Sequence, residues 1–403
     1  MRQGAKSRLI QVAVLVFTAM LIGACTFNTG GSPVKAQESA PPQGSIDIDK
    51  LDVGPYPTEP RSPLGVTGNP QLGVAVEGQR LANNVVGPWE VDSELTAGFG
   101  FGAIVLPNAE TLTLIGPSEL AAVAGGHGMI YGFASARTLE NKKMLLNAVL
   151  RFPDDGAATA AATDLGKTAL QQQGLDGPAQ SVPIPNHPDA QANHYTTMDR
   201  IAGKWTAVRS FTAHGPYVLM QLAQATEGLD PALALVDKTI EMQGPVIDSF
   251  RATDPSEFAD ISLDPTGLLA RTLPMPDKEA SPTQNATYEP RGALHFQSDP
   301  VRSSKLFDDT GMDLVAMAKT NVYQTADAEG AAKIVDEFFA EVAPTAQPAN
   351  PVKNMPDSRC LALEDKAFYC LATADKYAIE TSGPNLLDTQ QQVAAQYVML
   401  MSG

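Results

Sequence analysis

The residues of this chain with side chains suited to chemistry near neutral pH are its five histidines, three cysteines and a few acidic pairs. Imidazole moves protons and binds metals near neutrality. His127, His187, His194, His214 and His295 nevertheless contain no His-Glu-x-x-His or other short ligand cluster. His187 and His194 frame the loop Pro188 to Asn193, which reads as a surface loop, not a metal site. His127 sits between glycines, the setting of a histidine satisfied beside a tight backbone approach. No Gly-x-Ser-x-Gly elbow occurs. Gly98-Phe99-Gly100-Phe101-Gly102 lacks the spacing and downstream acid of a dinucleotide fold and reads as flexible or closely packed backbone. Gly166-Lys167-Thr168 lacks the preceding glycines of a phosphate loop. Asp154-Asp155 and Asp308-Asp309 adjoin predicted helix ends, where carboxylates cap amides; no glycine-punctuated calcium loop accompanies them. The expectation is no catalytic residue, no metal and no cofactor, with His127, Tyr131 and His295 as candidate ligand-binding residues.

Cysteine carries clearer chemistry. Arg2, Lys6 and Arg8 precede the apolar run Leu9 to Ile22, a signal-peptide layout too short for a comfortable membrane span. It ends in Leu21-Ile22-Gly23-Ala24-Cys25, where small residues admit a peptidase and the thiol suits attachment of diacylglycerol. This is similar to the lipobox of exported lipoproteins, with residues 1–24 removed and Cys25 lipidated. Cys360 and Cys370 flank an apolar, polar, apolar sequence that predicts a hairpin turning at Asp365. The hairpin places them opposite each other, so an exported chain is expected to join them in a disulfide. The formal charge of −17 falls to −20 when the three leader cations leave. Such a chain is repelled by nucleic acid and by anionic headgroups, so attachment to the plasma membrane must come from acyl chains.

The elements that position these residues follow from composition and periodicity. Residues 25–70 are rich in Pro, Gly, Ser and Gln and predict a disordered tether. Asp154 or Asp155 can cap a helix whose Ala158, Ala161, Ala162, Leu165 and Ala169 share a face; Thr325 or Asp327 can cap another through Ala331, Ile334, Val335, Phe338 and Val342. Each follows a short apolar segment and precedes three strand-like runs and a further helix. The runs are His194–Met198, Trp205–Ala213 and Tyr217–Leu222 in one half, and Cys360–Leu363, Ala367–Thr373 and Tyr377–Thr381 in the other. The predicted fold is α+β, with two related lobes, 71–252 and 291–403. Each is an antiparallel sheet covered by helices on one face, and a proline-rich connector, 253–290, joins them.

Gly126-His127-Gly128-Met129-Ile130-Tyr131-Gly132-Phe133-Ala134-Ser135-Ala136-Arg137, Val149–Asp154, Pro290–Phe296 and Asp299-Pro300-Val301-Arg302-Ser303 occur in one order. Together they resemble a family of lipoproteins of unknown function from mycobacteria, nocardias and their relatives. The resemblance implies a place on the outer side of the plasma membrane in a mycolate-bearing envelope, and it brings no catalytic residues. The leading expectation is a membrane-anchored, non-catalytic binding module for an envelope lipid, glycan or protein. A lipid or glycolipid carrier, with Phe99, Phe101, Ile104, Val105 and Leu106 lining a cavity, is the alternative. An envelope hydrolase with a carboxylate pair or Ser-His pair hidden by sequence separation is the third reading. Replacing Cys25 by serine should move the protein from the membrane pellet to the soluble fraction; unchanged partition would refute the anchor.

Overall fold

The computed structural model describes residues 46–402. The leader, Cys25 and the tether through residue 45 lie outside the described residues. The first lobe opens with helices α1 (Pro70–Leu81) and α2 (Pro88–Val91), followed by strand β1 (Ala97–Leu106), helix α3 (Ser118–Gly126) and the hairpin β2 (Tyr131–Leu139) and β3 (Lys143–Arg151). After helix α4 (Asp155–Ala169) come the short strands β4 (Gln173–Gly174), β5 (Gly177–Pro178) and β6 (Gln180–Ser181). The meander β7 (Gln191–Asp199), β8 (Gly203–His214) and β9 (Tyr217–Ala225) and helix α5 (Leu229–Asp248) complete it. The second lobe comprises β10 (Ala286–Tyr288), helices α6 (Pro290–Leu294) and α7 (Pro300–Thr310), β11 (Leu314–Met317), β12 (Asn321–Gln324) and helix α8 (Ala328–Val342). It continues through β13 (Gln347–Ala349), β14 (Arg359–Ala362), β15 (Phe368–Ala374) and β16 (Tyr377–Gly383) to helix α9 (Leu386–Met401).

Both large sheets are antiparallel and seven-stranded, ordered β1-β2-β3-β9-β8-β7-β6 and β10-β11-β12-β16-β15-β14-β13. The lobes therefore match: three strands, a helix, four strands, a helix, wound identically. Tyr217 and Tyr377 open the equivalent strands β9 and β16. The expected order of one strand, helix, three strands and helix was short by the first two strands and by one edge strand.

The helices form where spacing and caps direct them. Asp154 accepts a hydrogen bond from the Ala157 amide and Asp327 from that of Gly330, satisfying amides that have no partner within the helix. The five expected α4 residues and Ala331, Ile334, Val335 and Phe338 of α8 are buried. The helices lie on both faces of each sheet, not on one. Alternate residues of β8 show why: Ala207 and Phe211 pack toward α4, and Val208 packs toward α5. In the second lobe, Leu371 and Ala378 meet α8, and Cys370 and Ile379 meet α9. A strand apolar on both faces needs cover on both.

Two stretches are more ordered than composition predicts. Residues 46–69 form a strap along the second lobe: Leu51 is buried, the Tyr56 hydroxyl donates to Asp388 at 2.7 Å, and Arg61 bonds the Leu269 carbonyl at 2.6 Å. The expected connector 253–290 buries Phe258, Ile261, Leu268, Leu269 and Leu273 and already contains β10. Helix α1 lies against it so closely that a Cβ on Gly73 would stand 2.1 Å from the Phe258 carbonyl oxygen. Cys360 and Cys370 are cross-strand partners of β14 and β15, bridged as the hairpin pattern predicts, with Cα atoms 4.2 Å apart.

One buried side chain recurs in both lobes. On α5 the Gln243 amide accepts from the Val86 amide (2.8 Å) and the Asn147 side chain (2.8 Å) and donates to the Asn84 carbonyl (2.9 Å). On α9 Gln396 accepts from the Leu273 amide (2.8 Å) and the Thr320 hydroxyl (2.6 Å) and donates to the Arg271 carbonyl (2.8 Å). Each glutamine thus clamps backbone groups two residues apart in the segment that crosses its helix. Gln243→Leu and Gln396→Leu each strand a buried amide and carbonyl, so each should lower unfolding stability by about 2–4 kcal/mol in denaturant titrations. A loss below about 0.5 kcal/mol at both positions would contradict the clamp.

Candidate functional site

The lobes meet where residues 295–298, between α6 and α7, press against β2. Arg137 of β2 is 4 % exposed, and its guanidinium donates to the carbonyls of Thr96 (2.8 Å), His295 (2.8 Å) and Gln297 (2.6 Å). It lies over the Trp89 ring. Burial lowers its pKa below the usual arginine value, with Asp299 acting in the opposite sense. Beside it the His295 Nδ1 is 2.9 Å from the Ser135 hydroxyl, and Nε2 faces the carbonyls of Ala82 (3.2 Å) and Val85 (3.1 Å). Those two carbonyls require a proton on Nε2, so Nδ1 accepts from Ser135. Phe133 and Trp89 pack edge-on to the ring.

This is a Ser-His pair hidden by sequence separation, but its surroundings do not suit a hydrolase. Both side chains are buried, and desolvation drives the histidine pKa down to about 3, leaving a feeble base. His295 is a pillar of the lobe joint, its side chain 1 % exposed, and the residue also borders the cleft between the lobes. Tyr131, the other expected ligand-binding residue nearby, is enclosed as well: its ring is fully buried, edge-on to Phe258, and burial pushes its hydroxyl well above the ordinary tyrosine pKa.

His127 ends α3 half-buried, with Nε2 3.0 Å from Asp164 on α4, a link between two helices. His187 similarly faces the Asp237 carbonyl on α5 (3.1 Å), and His214 faces Asp248 at the end of α5 (2.7 Å). Among the described residues no three His, Cys, Asp or Glu side chains converge on a common point.

The groups that do converge on open space line the cleft between the lobes. On one wall, β1 bulges: Gly98 pairs with Arg137 and Ala103 with Ser135, leaving Phe99 to Gly102 outside the ladder. Gly100 and Gly102 turn this bulge at φ of 56° and 66°, values that side-chain-bearing residues rarely adopt. Phe99 and Phe101 are consequently 43 % and 64 % exposed, and Phe101 overhangs the cleft. The opposite wall is the second sheet. Glu380 of β16 accepts hydrogen bonds from the hydroxyls of Tyr323 (2.8 Å) and Tyr369 (2.8 Å) and the amide of Asn321 (2.9 Å). Gln297 donates to the Tyr323 hydroxyl at 3.2 Å. Burial, then the Glu380 charge, holds both tyrosines well above their usual pKa, so both remain protonated donors. Glu380 makes no ion pair among the described residues. The cleft measures about 600 Å³, and a depression of about 240 Å³ beyond Glu380 adds Gln284, Lys319, Thr381 and Ser382. An anionic acceptor set between amides and hydroxyls, beneath the exposed Phe101 ring, suits a ligand with many hydroxyl donors and a flat apolar face.

The joint's histidine makes a pH prediction. His295 titrates near 6.5 when unfolded and near 3 when folded. Above pH 6.5 both states are neutral and the joint keeps its full contribution; between 6.5 and 3 only the unfolded chain takes the proton, so stability is lost as pH falls. The wild type should lose about 1 kcal/mol per pH unit more than His295→Gln across that window in urea titrations. Parallel profiles would refute the assignment.

A comparison with family profiles matches the domain of unknown function DUF7373, N-terminal, over residues 64–263 and DUF7373, C-terminal, over residues 268–403. No curated protein matches the chain. Among solved structures, the extracellular domain of PknH from Mycobacterium tuberculosis aligns with 40 % of this chain and 93 % of its own at 12 % identity and a TM-score of 0.28, a likeness too weak to bear on fold or function. The two matched segments fall on the two wound lobes and meet between residues 263 and 268, and on this evidence the chain belongs to the DUF7373 family.

Proposed function

We propose that this protein is a lipid-anchored, extracytoplasmic binding module of the cell envelope, and that its interlobe cleft receives a polyhydroxylated ligand, a glycan or the sugar part of a glycolipid. The observation that carries the reading is Glu380, a carboxylate held by three neutral donors at the floor of an open cleft and overhung by Phe101. Sugar hydroxyls donate to such a carboxylate, and the apolar face of a pyranose packs on an exposed phenyl ring. Two features support the location. The leader ends in Gly23-Ala24-Cys25, and the Cys360–Cys370 bridge belongs to an oxidising compartment. No described helix is long and apolar enough to cross a membrane, so in this reading the lipid at Cys25 makes the attachment.

The carrier alternative has less support, because the residues expected to line its cavity diverge. Val105 and Leu106 are fully buried in separate cores on opposite faces of the sheet, Ile104 packs beside Leu106, and Phe99 and Phe101 stand in the bulge.

Titrating the protein with a panel of neutral oligosaccharides, followed by calorimetry or ligand-observed NMR, tests the proposal. Glu380→Gln should weaken binding at least tenfold, since hydrogen bonds to a charged group contribute about 1.5–3 kcal/mol. Phe101→Ala should weaken it roughly three- to tenfold, the loss of one aromatic contact of about 0.5–1.5 kcal/mol. A panel without a binder, together with a lipid mass retained in native mass spectrometry of protein from its own envelope, would replace this reading with the carrier.

A further inference from the structure

Arg209 lies in the middle of β8 and is 4 % exposed, as deeply buried as Arg137. The two guanidiniums differ in what they touch. Arg137 is surrounded by carbonyls, whereas the Nη1 of Arg209 has no hydrogen-bond partner, and Arg209 makes no ion pair among the described residues. Its cross-strand neighbour Asn193 is 1 % exposed and likewise leaves both amide atoms unpartnered. A buried guanidinium nitrogen without an acceptor is disfavoured, and Asn193 beside it on the same sheet face leaves this patch short of polar partners.

The guanidinium opens onto space that can hold one. Arg209 lines a cavity of about 260 Å³ between the start of α3 and the end of α4, with Pro117, Thr168 and Gln172 among its walls. Its Nη1 stands 3.4 Å from where a Cβ on Gly116 would be, against the turn that begins α3. Pro117 at that turn gives α3 no side-chain cap, so the positive end of a nine-residue helix adds to the field of the guanidinium. The volume lies below the roughly 300–1,000 Å³ of pockets for drug-sized ligands, so the cavity admits a small group rather than a large molecule.

We propose that this cavity is a binding site for a compact oxyanion, a carboxylate or a phosphate group, with Arg209 as its principal donor. Guanidinium geometry suits bidentate contact with either. Thr168 and Gln172 add polar side chains to the wall, with the Gln172 amide donating to the Gln173 carbonyl at 3.3 Å. Glu119 stands exposed at the mouth and opposes the anion, so the site is selective for a ligand able to enter past a negative charge. It lies on the face of the first sheet beneath α3 and α4 and rests on no part of the interlobe cleft reading.

The test is thermal unfolding of the whole protein in rising inorganic phosphate or acetate, at constant ionic strength set with chloride. The wild type should show a saturable rise of roughly 3–5 °C at a hundredfold excess over Kd. Arg209→Met should abolish the rise without lowering the melting temperature in anion-free buffer, because it removes an unpartnered buried cation. Glu119→Gln should tighten binding severalfold. Response to phosphate alone assigns a phosphate site and response to acetate a carboxylate site. The guanidinium NMR resonance of Arg209 in the wild type, followed through the same titration, gives a readout free of any folding defect. A flat titration of that resonance, or an unchanged rise in Arg209→Met, would overturn the proposal.

Discussion

A guanidinium taken out of water must find acceptors, and the way Arg137 finds them governs the arrangement of the two lobes. Its carbonyl partners come from the first lobe at Thr96 and from the second at His295 and Gln297, so the charge is satisfied only when the lobes are docked. The apolar surroundings make the requirement strict: one hydrophobic core runs from Leu81, Val85 and Phe133 in the first lobe to Tyr288, Phe307 and Phe338 in the second. Hydrophobic burial brings the lobes together without direction, while the fork of Arg137 and the two-sided ring of His295 select one orientation. The cleft inherits its shape from that choice, because Phe101 and Glu380 belong to different lobes and face each other only through this joint.

The duplication reaches below topology. Gln243 and Gln396 sit on equivalent helices and grip an amide and the carbonyl two residues earlier, in segments that occupy the same place in each lobe. Their third partners differ: Asn147 lies in the middle of β3 in one lobe, and Thr320 in the turn just before β12 in the other. What the lobes do not share is where chemistry collects. The second sheet presents Asn321, Tyr323, Tyr369 and Glu380 on one face, and the first carries Asn193 and Arg209 beneath its helices. A common frame has thus been given one acidic and one basic polar cluster.

Legibility in the sequence depended on which physical signal each element carries. Helices α4 and α8 have one apolar face at helical spacing and a capping aspartate, and both could be read. The disulfide hairpin and the last three strands of each lobe could be read from turn residues between apolar runs. Strand β2 could not: it is buried along Tyr131 to Arg137, so its residues do not alternate in polarity. The strap at 46–69 has the composition of a tether and is ordered by partners some two hundred residues or more away, which no local pattern records. Glu380 looked like any polar residue of a half-exposed strand; only the register of β12, β15 and β16 brings Asn321, Tyr323 and Tyr369 to it. The stretches around Arg137 and His295 that carry the family resemblance prove to be the two sides of the joint, which is why residues singled out there are architectural.

The strap also imposes an order of events on assembly. Tyr56 and Arg61 emerge early in synthesis, but their partners are Asp388 on the last helix and Leu269 before the second sheet. Arg61 can engage Leu269 once the connector exists, whereas Tyr56 has to wait for Asp388 on α9. The first lobe, whose own contacts are local by comparison, has time to fold before that point. The Tyr56–Asp388 contact therefore ties residues 46–69 to helix α9 late in assembly, across 332 positions of sequence, and makes the packing of that helix depend on a segment far outside its own lobe's sheet.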